Sequence, residues 1–264
     1  MTLSLASLLE SWITPDKNYD FGRAYGHLRP RWYTTDLRTI KTDFRILEEK
    51  DQKMREDAIR NSRTIQAQTP PCRVWDLYSN RIVPQWIIPD NTVPWAISHV
   101  WMDDRRGVAT PINRYRWPVP IPTDSSLECI RIEMLNLGAE YVWVDVLCLR
   151  QEGREGDSEA QREKEWRLDV PTIGYVYRWA KMVVYYFSGL GRALSDTAGD
   201  LESNRCWFKR AWTMQEISQY RIYAGGATDD FLVYAQAADE EDKVGSFQEQ
   251  IGSLKSLALE RNSL

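Results

Sequence analysis

The chain has 264 residues and a mass of 30.9 kDa, enough to bury a substantial core in one large domain or two small ones. Its 34 basic and 38 acidic side chains leave a net charge of −4 and a pI near 5.4, which argues against a dedicated nucleic-acid binder with a basic face. No apolar run reaches the roughly 18 residues of a membrane span, and two histidines cannot build a multi-His metal site, so no metal, cofactor or membrane attachment is expected.

Cys72, Cys129, Cys148 and Cys206 are widely spaced, with no CxxC and no secretory leader, and read as reduced thiols of a cytoplasmic protein. Twelve Trp and thirteen Tyr point to a core or a pocket filled with rings.

Residues 1–66 read as a helical N-terminal extension. Leu3, Leu5, Leu8, Leu9 and Trp12 make a short apolar face that Pro15 ends, and the charged stretch 34–65 carries Leu37, Ile40, Phe44, Ile46 and Leu47 only early on. The next unit, 67–93, reads as a β-hairpin and its connection, with strands over 72–78 and 81–86 about a tight turn at Ser79-Asn80.

From 94 to 225 strands and helices alternate. Residues 95–101 form an apolar strand, and 125–137 a helix with Leu127, Ile130, Met134 and Leu137 on one face, closed by Gly138. YVWVDVLCL at 141–149 is apolar on both faces, as a central parallel strand would be. Two helical pieces follow at 161–168 and 171–180, the second opened by Pro171, then a buried strand at 182–187. A helix over 204–218 and a strand at 220–223 complete a mainly parallel α/β sheet flanked by helices. Residues 226–264 read as a weakly helical C-terminal segment of a chain that continues further.

In such sheets ligands bind beyond the carboxyl ends of the strands. Ser98, His99 and Trp101 end the first strand, and Asp103, Arg105 and Arg106 follow it. The second strand carries Asp145 within its apolar run, then Cys148, Arg150 and Gln151. A buried carboxylate needs an arginine, backbone N–H partners or a cleft, so Asp145 is either a structural pair or a site residue. Cys148 reads as a small core residue, with no histidine near in sequence to activate it. On the helix 204–218, Phe208, Trp212 and Glu216 share one face, an aromatic stripe ending in an acid. Glu216 either marks the edge of the core or lines a pocket. No P-loop, GxGxxG, GxSxG or HExxH occurs.

AISHVW at 96–101, YVWVDVLCLRQ at 141–151 and RAWTMQE at 210–216, with EKEW at 163–166 and VYRWA at 176–180 between the last two, resemble in order and spacing the signature blocks of the fungal heterokaryon-incompatibility (HET) domain. Met102 stands where that family usually has a glycine, and Pro171 breaks the intervening helix. The resemblance implies a cell-death effector acting when unlike fungal individuals fuse, distantly related to TIR domains and so built on a flavodoxin-like, mainly parallel sheet. It further implies a TIR-like NAD hydrolase with Glu216 as catalytic carboxylate and NAD as substrate. The substrate would be bound by Ser98, His99, Trp101, Asp103, Arg105, Arg106, Asp145, Arg150, Gln151 and Trp212. Self-association would be required for activity. Two alternatives stand beside it: a non-enzymatic signalling module that recruits an executioner, and a hydrolase using Asp103, Asp145 and Glu216 around a divalent cation.

Overall fold

A computed structural model describes residues 20–33, 36, 38–61, 63–152, 158–193, 216, 221–224 and 234–235. The amino-terminal expectation for 1–19, the helix 204–218 apart from Glu216, and most of the segment 226–264 lie outside them.

Helix α1 (Phe21–Leu28) is capped by Asp20, whose carboxylate accepts from the Arg23 N–H at 2.7 Å. Helix α2 (Ile40–Asp57) buries only Ile40 and Phe44 and is otherwise a polar rod. A small hairpin follows, β1 (Ile59–Arg60) and β2 (Arg63–Thr64), where the charged pattern suggested helix to residue 65. Asn61, with φ 49°, makes the reversal that ends the helical run.

Strands β3 (Arg73–Asp76) and β4 (Arg81–Pro84) pair antiparallel, as the hairpin pattern suggests. The turn takes four residues rather than two. Asp76 accepts from the Tyr78 N–H at 3.1 Å and Asn80, with φ 51°, accepts from the Trp75 indole at 3.0 Å, which draws Leu77 and Tyr78 out of the strand.

Next come β5 (Trp95–His99), a hairpin of β6 (Arg105–Val108) and β7 (Val119–Pro122), and α3 (Leu127–Asn136), which Ser126 caps. Strand β8 (Tyr141–Trp143) is followed by a single helical turn, α4 (Asp145–Cys148), then by α5 (Ser158–Asp169), α6 (Ile173–Trp179) and β9 (Val183–Tyr186). Pro171 falls in the turn between α5 and α6, before rather than within the second helix; Thr172 closes that turn by donating its hydroxyl to the carbonyls of Leu168 and Asp169. Strands β10 (Arg221–Tyr223) and β11 (Tyr234–Ala235) end the described chain.

Seven strands form one sheet in the order β11-β10-β9-β5-β8-β3-β4. The inner four, β10, β9, β5 and β8, are mutually parallel, but β11 on one side and β3 on the other run antiparallel to them, and β4 pairs antiparallel with β3. The sheet is therefore mixed rather than mainly parallel. The hairpin read as a separate unit is the sheet's continuation, because β3 hydrogen-bonds directly to β8.

One core lies on the sheet around Ile97, Val142, Trp143, Val183, Val184, Tyr185 and Tyr186, with α3, α6 and β7 packed over it. A second core joins Ala24 and Leu28 of α1 and Ile40 and Phe44 of α2 to Val74, Val83 and Tyr141 of the sheet. Arg29 fastens α1 further: its guanidinium reaches the fully buried Asp76 at 3.1 Å and the Tyr141 hydroxyl at 2.7 Å. Among the described residues no helix is long and apolar enough to cross a membrane.

Candidate functional site

The chain leaves β5 at His99 and β9 at Tyr186 along the same edge of the sheet, with Ser98 facing Tyr185 across the parallel pair. Helix-opening turns and loops converge on such carboxyl edges, which makes them the natural ligand crevice of open α/β sheets. Ser98 is wholly buried and donates its hydroxyl to the carboxylate of Glu216. Tyr185, its partner on β9, donates its hydroxyl to the main-chain oxygen of the same residue at 2.6 Å. Glu216 is half-buried and is thus held at both ends by adjacent central strands.

Beside this contact, Asp145 accepts from three groups. The His99 ring meets it at 2.7 Å, the Trp101 indole N–H at 2.9 Å and the Val146 backbone N–H at 2.7 Å. Asp145 does not lie inside a strand as the apolar run suggested. Strand β8 ends at Trp143 because Asp145 opens α4: its carboxylate takes the Val146 N–H, and the Cys148 N–H bonds back to the Val144 carbonyl at 2.8 Å. The residue is brought to the strand's carboxyl end, 20% exposed, beside the deeply buried His99.

Both nitrogens of His99 face acceptors, Asp145 on one side and the Val100 carbonyl at 3.1 Å on the other. Only the imidazolium can donate to both. Burial pulls its proton affinity down, but the Asp145 carboxylate, the Val100 carbonyl and then Glu216 together raise it above the ordinary histidine range. Burial pushes Asp145 the other way, upward, yet the His99 cation and the N–H groups of Val146 and Trp101 hold it below the usual carboxylate range. Both shifts favour the ionised form of the pair.

The other sequence-derived residues divide. Trp101 lies tilted against His99, ring centroids 5.6 Å apart, and carries the exposed Arg105 guanidinium 5.0 Å above its ring. Gln151 donates to the carbonyls of Asp145 and Leu149, both at 3.1 Å, and so braces α4 from behind. Arg106 turns to the Ser125 carbonyl at 3.2 Å, and Asp103 is exposed on the loop before β6. Arg150 is not brought to the cleft: it bonds Glu165 on α5 at 3.1 Å and lies over Trp117. Trp212 lies outside the described residues. Cys148 is buried, and burial pushes its thiol up to about 12, which removes it as a nucleophile at neutral pH.

Sequence reasoning missed Tyr185 and Tyr177. Tyr177 on α6 donates its hydroxyl to the Ile97 carbonyl at 3.2 Å under the floor of the cleft, packing edge-on against Trp143. Both sit in runs that read simply as buried aromatics; only the strand register reveals that Tyr185 is opposite Ser98. Met102 has a partner of its own, since a Cβ at Gly189 would lie 2.9 Å from its Cγ. The loop after β9 gives up a side chain where the loop after β5 has gained one.

Residues 95–200 match the family model described as Heterokaryon incompatibility protein (HET). This segment is similar to a HET domain. It opens at the first residue of β5, so the matched segment supplies Ser98, His99, Trp101, Asp145, Tyr177 and Tyr185, while Glu216 follows it in the chain. No curated protein and no solved structure matches the chain. Among the described residues no group of three or more His, Cys, Asp or Glu side chains is arranged to hold a metal ion.

Proposed function

We propose that this chain is a heterokaryon-incompatibility effector whose HET domain, together with Glu216, cleaves the nicotinamide–ribose bond of NAD. The observation that carries the reading is the Ser98 hydroxyl on the Glu216 carboxylate, at the carboxyl edge between β5 and β9. Taken in chain order, the four parallel strands β8-β5-β9-β10 run 2-1-3-4, the order of a flavodoxin-like sheet, and the crevice of that arrangement opens between its first and third strands. Those are β5 and β9. The TIR-like parentage rests on this order and on the sequence blocks.

The chemistry asks little of the protein. The C1′–N bond breaks, its electron pair passes to the pyridinium nitrogen, and neutral nicotinamide leaves without a general acid. The ribosyl centre becomes an oxocarbenium-like cation, which the Glu216 carboxylate stabilises in a partly dehydrated site. Water then adds to C1′ and gives up its proton to Glu216. Ser98 orients the carboxylate, and the His99–Asp145 pair positions Trp101, whose ring with Arg105 above it forms a wall for the nicotinamide or the phosphates. Asp103, Arg106 and Gln151 serve the rim and the second layer. Self-association completes the site, so turnover rises with protein concentration.

Glu216→Gln should lower nicotinamide release by at least about 100-fold while the protein stays folded. Equal release by wild type and Glu216→Gln would refute the catalytic role. No NAD consumption by wild type at any protein concentration would instead favour the signalling module, in which the His99–Asp145 pair is purely structural.

A further inference from the structure

Two loops leave the carboxyl edge of the sheet at the crevice, one after β5 and one after β9, and they are joined to each other. In the loop after β9, Leu190 is buried in the core and the Arg192 N–H closes a turn on the Gly189 carbonyl at 3.0 Å. Gly189 and Gly191 are both left-handed, with φ 109° and 75°, and a Cβ at Gly191 would lie 2.8 Å from the Ile130 side chain. Neither position admits another residue without strain, so the loop is held in one shape. Met102 of the β5 loop rests against Gly189.

Arg192 makes the join. Its Nε donates to Asp124 at 2.7 Å, and its two Nη groups donate to the two carboxylate oxygens of Asp104, Nη1 at 3.4 Å. Asp104 stands immediately before β6, and its carbonyl accepts from the Thr123 N–H at 3.0 Å. Asp124 follows β7, at the same end of that hairpin. One planar guanidinium from the β9 loop thus grips two acids fixed on the β6–β7 hairpin, a geometry that a lysine does not copy. The Arg192 side chain is 18% exposed, but those of Asp104 and Asp124 are 48% and 64% exposed. Pairs so open to water add little to global stability, so their main effect is one of placement.

What the join holds in place is the ring wall of the cleft. The β5 loop is pinned at one end by Trp101, whose indole N–H bonds Asp145 at 2.9 Å, and at the other by Asp104 on Arg192. Arg105, next to Asp104, returns its guanidinium to 5.0 Å from the centroid of the Trp101 ring. Only Met102 and Asp103 separate Trp101 from Asp104, too short a span for one end to move without the other.

We propose that Arg192 is a positioning residue for this cleft: by tying the loop after β9 to the loop after β5, it fixes the Trp101–Arg105 stack against the ligand. Its kinetic consequence rests on the reading of the cleft as an NAD site, whereas the placement of Trp101 does not. A wall that meets the nicotinamide or the phosphates favours bound substrate and transition state alike, so displacing it raises KM and spares kcat.

Fluorine NMR of the full chain labelled with 5-fluorotryptophan reads the placement, the Trp101 resonance being the one absent from Trp101→Phe. Arg192→Ala should shift or broaden that resonance while the melting temperature stays within about 2 °C of wild type. Arg192→Lys, restricted to one acid at a time, should lie between the two. Arg162→Ala removes a guanidinium that forks to Glu152 and Glu159 beside α5, and should leave the resonance where it is. Asp104→Asn should move it as Arg192→Ala does, and decides the matter if Arg192→Ala does not fold. In NAD turnover Arg192→Ala should raise KM at least about fivefold with kcat within about twofold, and Arg162→Ala should change neither. An unmoved Trp101 resonance, an unchanged KM in an active Arg192→Ala protein, or an equal rise of KM in Arg162→Ala would overturn the proposal. Absence of NAD turnover in wild type would instead refute the reading of the cleft, and the fluorine resonance would still decide what Arg192 holds.

Discussion

His99 is the residue whose surroundings say most about the HET-like segment, because its two ring nitrogens both need a proton to satisfy Val100 and Asp145. Its folded proton affinity is raised, so its contribution to stability is complete below the ordinary histidine value of about 6.5 and is lost as pH rises through the folded value. Asp145 is shifted downward, so its share is present above about 3.9 and is lost as pH falls through its own folded value. Breaking a buried pair of this kind costs about 3–5 kcal/mol. His99→Gln should therefore be less stable than wild type by that order at pH 6, and the gap should narrow as pH rises through the folded value. Urea unfolding across that range measures it; a gap independent of pH would mean that the ring is neutral throughout. At this scale the sequence was informative about identity and silent about state. Ser98, Asp145 and Glu216 could be singled out as polar residues among apolar ones. That Asp145 opens a helical turn and meets His99 could not, because the apolar run YVWVDVLCL carries no sign of where the strand stops.

At the scale of elements, one guanidinium reinforces the apolar packing of α1 on the sheet. Arg29 reaches Asp76, Tyr141 and Glu140, and lies 4.6 Å from the centroid of the Tyr78 ring. Burial raises Asp76 even with this partner in place, so the carboxylate depends on it. Arg29→Leu would leave that charge uncompensated and should cost about 3–5 kcal/mol, read as a lower midpoint in denaturant with little change in slope. Arg29→Leu combined with Asp76→Asn should recover much of the loss. Alternating strand and helix patterns gave β5, α3, α5, α6 and β9 to within a few residues, since each has one clear period and ends at Gly, Pro or a capping Ser or Thr. Hairpins β1–β2 and β6–β7 were missed. Their strands of two to four residues are too short to show alternation, and the fully buried β3 has none to show.

For the molecule as a whole, the question is what the first quarter of the chain does for the sheet. Val74, Val83, Ile87 and Ile88 are covered by α1 and α2, and Arg55 of α2 bonds the Pro71 carbonyl and faces the buried Asp169 of α5 at 3.6 Å. A chain beginning at residue 67 would expose this apolar face and strip Asp76 and Asp169 of their partners. It should be poorly soluble and bind a hydrophobic dye strongly, whereas the full chain should not. A well-folded, monomeric product of that truncation would show that the second core is dispensable. The parallel heart of the sheet was legible from the sequence because its strands are apolar and separated by helices. The β3–β4 hairpin was legible too, but its pairing onto β8 and the addition of β11 were not, since pairing across an edge leaves no periodic trace in either partner.

The double hold on Glu216 sets a ruler for this position. Ser98 and Tyr185 sit on hydrogen-bonded neighbours in the middle of the sheet, so the gap between the groups that grip the residue is fixed by strand spacing, about 4.8 Å, and not by loop conformation. Reach, as well as charge, is therefore selected. Glu216→Asp keeps the carboxylate and the main-chain contact with Tyr185, but one methylene fewer draws the charge back from Ser98. If the cleft works as proposed, this shorter acid should behave nearly as badly as the neutral Glu216→Gln. A residue whose sign alone mattered would tolerate it.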